Sequence, residues 1–76
     1  MNMQRRKRIE KIGMTLEDLF EELQALQEEE QEAYDNMPES LQSSERGEAI
    51  YEAIGNLESA ASSLEEASEY LAAAIE

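Results

Sequence analysis

Six aliphatic residues near the start of the chain, Ile9, Ile12, Leu16, Leu19, Leu23 and Leu26, recur at intervals of three and four. That alternation keeps a single stripe on an α-helix and is the spacing of a heptad seam. The seam weakens at Glu30 and resumes through Ala33 and Met37, and Glu, Gln and Leu, all good helix formers, fill the segment. The pattern predicts a helix over about residues 4–35, with Gly13 and Thr15 marking where a kink or fraying is expected, if anywhere. After a break at 36–43 the chain turns strictly sevenfold: EAIYEAI, GNLESAA, SSLEEAS, EYLAAAI. One heptad place holds Ile50, Leu57, Leu64 and Leu71; another holds Ile54, Ala61, Ser68 and Ile75; the place between them holds Ala53, Ala60, Ala67 and Ala74. A second helix over about 44–75 follows. Alanine at every seventh place lets another helix backbone approach closely beside the leucine seam.

A short link between helices of similar length predicts that they fold back antiparallel, residue i facing roughly residue 80 − i. The expected fold is all-α: one domain, 1–76, an antiparallel hairpin of two long heptad-patterned helices. Its packing residues are Ile9, Ile12, Leu16, Leu19, Leu23, Leu26, Ile50, Ile54, Leu57, Leu64, Leu71 and Ile75. Each apolar face is too wide for one neighbour, and a chain of 76 residues builds only a small core. Assembly into a helical-bundle homo-oligomer is therefore expected, as a four-helix pair of hairpins or a larger ring. A straight first helix exchanged between chains would satisfy the same pattern.

Composition narrows the chemistry. There is no cysteine and no histidine, so the common nucleophile–base pairs, thiolate sites and imidazole ligands are missing. Carboxylates abound without the spacing of a calcium loop. No enzyme activity, cofactor or metal site is expected. No apolar run is long enough to span a membrane. A basic start without an apolar stretch after it does not read as a secretion signal, so a cytoplasmic protein is expected. The formal charge of −13 is uneven: residues 1–11 carry five bases and one acid, and residues 12–76 carry one base and eighteen acids. A body this acidic repels nucleic acid and anionic lipid and attracts basic protein surfaces. The antiparallel fold would set Arg5 to Lys11 beside Glu69 to Glu76, which gives the basic turn a local purpose. Crowded carboxylates also repel one another, so helicity and association are expected to rise on acidification toward the sequence pI near 4.2.

The stretch DNMPESLQSSERGE (35–48) interrupts the repeats. Asn36 reads as an N-cap, Pro38 to Gln42 as one short helical turn, and Ser43 or Ser44 as the cap of the second helix. Arg46 is out of place: it is the only base after Lys11, and it occupies a first helical turn where the dipole disfavours a cation. Two serines, an arginine and a glycine at a helix start can bind an anion. The alternative is an ion pair from Arg46 to Glu45, Asp35 or Glu39. Candidate ligand residues are thus Arg46, Ser43 and Ser44, with Arg5 and Arg8 from the basic turn.

The sequence NMPESLQSSERGEAIYEAIGNLESA, preceded by a Glu/Gln-rich helix, resembles a recurring set of small, acidic, uncharacterised helical proteins of bacteria and their phages. The likeness covers about residues 28–76 and is strongest over 36–48. It implies a phage or mobile-element setting inside a host bacterium, where such proteins act by stoichiometric binding. The function expected on this basis is that of a non-enzymatic anti-defence inhibitor, sequestering an anionic, nucleotide-like signal or blocking a host defence protein. Two alternatives stand beside it. One is an acidic DNA mimic, using Glu21, Glu22, Glu28, Glu29 and Glu32 against a DNA-binding protein. The other is a plain coiled-coil oligomerisation or adaptor module.

Overall fold

A computed structural model describes all residues, 1–76, as three helices and no strand: α1 (Met3–Asp35), α2 (Glu39–Gln42) and α3 (Glu45–Ala74). α1 begins at Asn2, whose side-chain oxygen accepts a hydrogen bond from the Arg5 N–H at 2.8 Å and satisfies one of the orphan donors of the first turn. It then runs unbroken past Gly13 and Thr15. The Thr15 hydroxyl donates to the Lys11 carbonyl one turn back, at 3.1 Å, as a serine or threonine inside a helix does. The kink or fraying expected there does not occur. α1 and α3 lie against each other along their length and make a rod of 58 × 14 × 13 Å. The radius of gyration is 17.2 Å, against roughly 11 Å for a compact chain of this length.

The face that α1 turns toward α3 is set by Ile9, Gly13, Leu16, Phe20, Leu23, Gln27, Glu30 and Tyr34, the residues along it that are partly withdrawn from water, and Met37 continues the line just past its end. These recur at four and three, like the aliphatic seam, but rotated by about a seventh of a turn. Ile9, Leu16 and Leu23 belong to both stripes. Ile12, Leu19 and Leu26 point away from the pairing and stay 52%, 44% and 45% exposed. On α3 the two predicted lines, Ile50–Leu57–Leu64–Leu71 and Ile54–Ala61–Ser68–Ile75, face α1; the alanine line flanks them, with Ala53 and Ala67 half-buried and Ala60 and Ala74 exposed.

The helices are offset by about one turn from the expected pairing. Tyr34 meets Tyr51, not residue 46, with ring centroids 5.8 Å apart and planes tilted by 53°. Such a tilted contact suits the ring quadrupoles. The same offset carries Arg5 to Arg8 past the end of α3 and leaves Lys11 level with its last turn. The basic turn is thus not paired lengthwise with Glu69 to Glu76.

Only Gly47, Ile54 and Ala61 are buried. Two helices side by side can shield only the seam between them, so most aliphatic surface remains wet.

Candidate functional site

The tip is the most tightly built part of the rod. Leu41 and Gln42 N–H groups both donate to the Pro38 carbonyl, at 2.8 and 3.0 Å, which closes the single turn of α2. Pro38, with its fixed φ and no N–H, precedes that turn. Gln42 reaches back to donate its side-chain amide to the Tyr34 carbonyl at 2.8 Å, clasping α2 to the end of α1. Ser44 caps α3: its hydroxyl accepts from the Gly47 N–H at 3.3 Å and donates to the Leu41 carbonyl. The Ser43 hydroxyl donates to the Glu39 carbonyl at 3.3 Å. Both serine hydroxyl protons are therefore spent on the tip backbone.

Gly47 is buried because α2 crosses directly over it. A Cβ built there would overlap the carbonyl oxygens of Leu41 and Gln42. Its low helix propensity is secondary to this close approach. The clue in the sequence was a glycine in the first turn of an otherwise well-formed helix.

Arg46 is exposed on the flank of the tip. It borders a groove of about 380 Å³ whose other walls include Ala33, Met37, Pro38, Leu41, Ser44 and Ile50. Arg5 and Arg8 border a separate groove of about 190 Å³ with Met1, Ile9 and Ile12. The two grooves lie at opposite ends of the 58 Å rod. Within one chain the candidate ligand residues fall into two groups: Arg46, Ser43 and Ser44 at the tip, and Arg5 and Arg8 at the far end.

The largest groove, about 480 Å³, has the opposite charge. Glu17 and Glu21 from α1 face Glu65 and Glu69 from α3 around Phe20 and Ser68. No group of three or more acidic side chains converges closely enough to hold a metal ion. The groove is a place of like-charge repulsion between the helices, worst at low salt. Added salt screens it. The melting temperature at pH 7, followed by circular dichroism at 222 nm, is expected to rise with salt. The Glu65→Lys/Glu69→Lys variant, which turns repulsion across the groove into attraction, should melt higher at low salt and gain less from added salt. A wild-type melting point that falls as salt is added would show that attraction between charges, rather than repulsion, dominates between the helices.

Comparison of the chain with protein families, curated proteins and solved structures returns no match.

Proposed function

We propose that this chain is a non-enzymatic binding protein that blocks a basic surface of a host protein. The observation that carries the reading is the row Glu21, Glu22, Glu28, Glu29 and Glu32, all exposed along one continuous helix of a narrow rod. A rigid line of carboxylates is a preorganised partner for a basic groove, and it loses little freedom on binding. Where that groove normally holds DNA, the protein acts as a mimic of it. The likeness of residues 28–76 to small phage and bacterial proteins supports an anti-defence setting in a host bacterium.

The test starts from a tagged chain expressed in the host, with the captured protein purified and titrated back. A basic partner whose Kd weakens about tenfold or more between low and moderate salt is expected, because the contact is between opposite charges near the surface. Glu28→Lys/Glu29→Lys/Glu32→Lys should abolish it. A complex indifferent to salt and to this triple change would remove the reading.

A second reading is favoured by Arg46 and Ser44 sharing one groove. There the protein sequesters an anionic, nucleotide-like signal at the tip. Native mass spectrometry of gently purified protein should then show a bound small molecule that Arg46→Ala loses; a ligand-free spectrum counts against this version alone.

A further inference from the structure

We infer that the rod pairs with a second copy of itself, face to face and antiparallel, about a two-fold axis through Leu19. The face is the one flanked by Ile12, Leu19 and Leu26 of α1 and by Ala53, Ala60 and Ala67 of α3. In an antiparallel hairpin the places just before the inward seam of each helix lie on the same side, so these two lines run next to each other. The other flank is the carboxylate groove, where Glu17 and Glu65 meet.

Charge on α3 is arranged around this face. Its seven acids, Glu45, Glu48, Glu52, Glu58, Glu65, Glu66 and Glu69, all fall on three of the seven heptad places. The alanine line, and the line beyond it formed by Ala49, Asn56, Ser63 and Tyr70, carry none. The α3 side of the face is thus free of carboxylates on a chain of net charge −13, the α1 side bears three aliphatic side chains about half exposed, and Glu22 and Glu29 lie at its α1 edge beside Arg8; such a face goes dry at its centre on contact and stays charged at one rim. With α1 covered along its length and α3 along about half of its own, the footprint on a rod 58 Å long and 14 Å wide is roughly 600 Å² for each partner, at the lower end of specific interfaces.

Electrostatics selects a second copy in the antiparallel sense. The half of the rod made of residues 1–19 and 65–76 carries five bases and seven acids, net −2. The tip half, residues 20–64, carries one base and twelve acids, net −11. The halves are separated by several Debye lengths at physiological salt, so each responds to what lies beside it. Parallel pairing sets one −11 half against another. Antiparallel pairing sets each −11 half against a −2 half and brings Arg8 beside Glu29 of the second copy. Leu19 is the midpoint of α1 (Met3–Asp35), so a two-fold axis there overlaps the two α1 helices over their whole length and the two α3 helices over the half of each that carries Ala60 and Ala67. It sets Leu19 on Leu19 and Ile12 on Leu26, while the alanines let the two α3 backbones draw close. Arg5 of each copy comes toward Arg46 of the other, the like-charge approach in the arrangement; both side chains are exposed and long enough to turn into water.

The experiment uses the full chain, which has no cysteine of its own. Sedimentation equilibrium should give twice 8.6 kDa, and Leu19→Glu should raise the dimer dissociation constant by roughly tenfold or more, since each dimer receives the change twice at its centre. Leu19→Cys should oxidise to a disulfide-linked dimer in high yield. Ile12→Cys and Leu26→Cys alone should not, but the double variant should. A monomer at tens of micromolar, or a larger closed ring, overturns the proposal. So does efficient cross-linking of Leu19→Cys/Ala67→Cys when Leu19→Cys alone stays unlinked, because that places α1 over α3 of a parallel partner. These readouts are made on the isolated chain and do not use the host protein: a monomer leaves the acidic row of α1 available, a salt-insensitive host complex leaves the dimer standing, and the Glu29 change that tests host binding is kept out of the cysteine variants.

Discussion

Gly47→Ala is expected to cost about 3 kcal/mol of stability, although it replaces the second-poorest helix former with the best. Propensity alone predicts a gain of about 1 kcal/mol in a helix interior. The added methyl group, however, would land on the Leu41 and Gln42 carbonyl oxygens, and these are backbone atoms that no rotamer change can move aside. Either α2 lifts off or the first turn of α3 unwinds. Lifting α2 breaks the Gln42 to Tyr34 hydrogen bond, and unwinding α3 releases the Ser44 cap. Each of these contributes on the order of 1 kcal/mol. Gly55→Ala is the internal control. Gly55 is exposed, a Cβ there meets nothing within 4 Å, and the substitution should stabilise by about 1 kcal/mol. Urea melts of the two variants should therefore move in opposite directions from wild type. If both move upward, the tip is not packed over Gly47.

The two long helices were legible because their stripes are built from strong helix formers at regular spacing, and the link was legible because Pro38, two serines and Gly47 interrupt that spacing. The side of α1 that meets α3 was not. The stripes 9-12-16-19-23-26 and 9-13-16-20-23-27 share three residues and have equally good periods. Counting aliphatic side chains favours the first. The pairing uses the second, which turns in Phe20 and Tyr34. Phe20 lies with Ser68 and Ala72, small residues that leave room for a ring, and Tyr34 packs on Tyr51. Choosing between the stripes thus required knowing what α3 offers opposite. The one-turn offset was hidden for a related reason: α2 takes up part of the link and lets α3 start later along α1 than a bare loop would. At the candidate site, Arg46 stood out in the sequence as a cation at the wrong end of a helix. Its distance from Arg5 and Arg8 depended on the hairpin being straight, and that depended on α1 running through Gly13 and Thr15.

Ile54→Asp is expected to unfold the hairpin at 25 °C. Ile54 is the one large side chain that is buried, with 8% of its surface exposed. One turn along from the Tyr34–Tyr51 contact, α3 presents Ile54 where α1 presents the half-buried Glu30. Truncating a buried isoleucine costs about 2–5 kcal/mol. An unpaired carboxylate in its place adds a further cost of several kcal/mol for lost hydration, and it would face a second carboxylate rather than a base. A domain of this size holds only about 4–11 kcal/mol in total. Far-ultraviolet circular dichroism should show most of the helical signal lost. Leu26→Asp makes the same chemical change on the outward stripe of α1, where the side chain is already 45% exposed. It should keep most of the helical signal while weakening the proposed pairing of copies. Equal loss from both variants would mean that the outward stripe is as necessary to the helices as the seam, and that the hairpin has no folded state apart from its assembly.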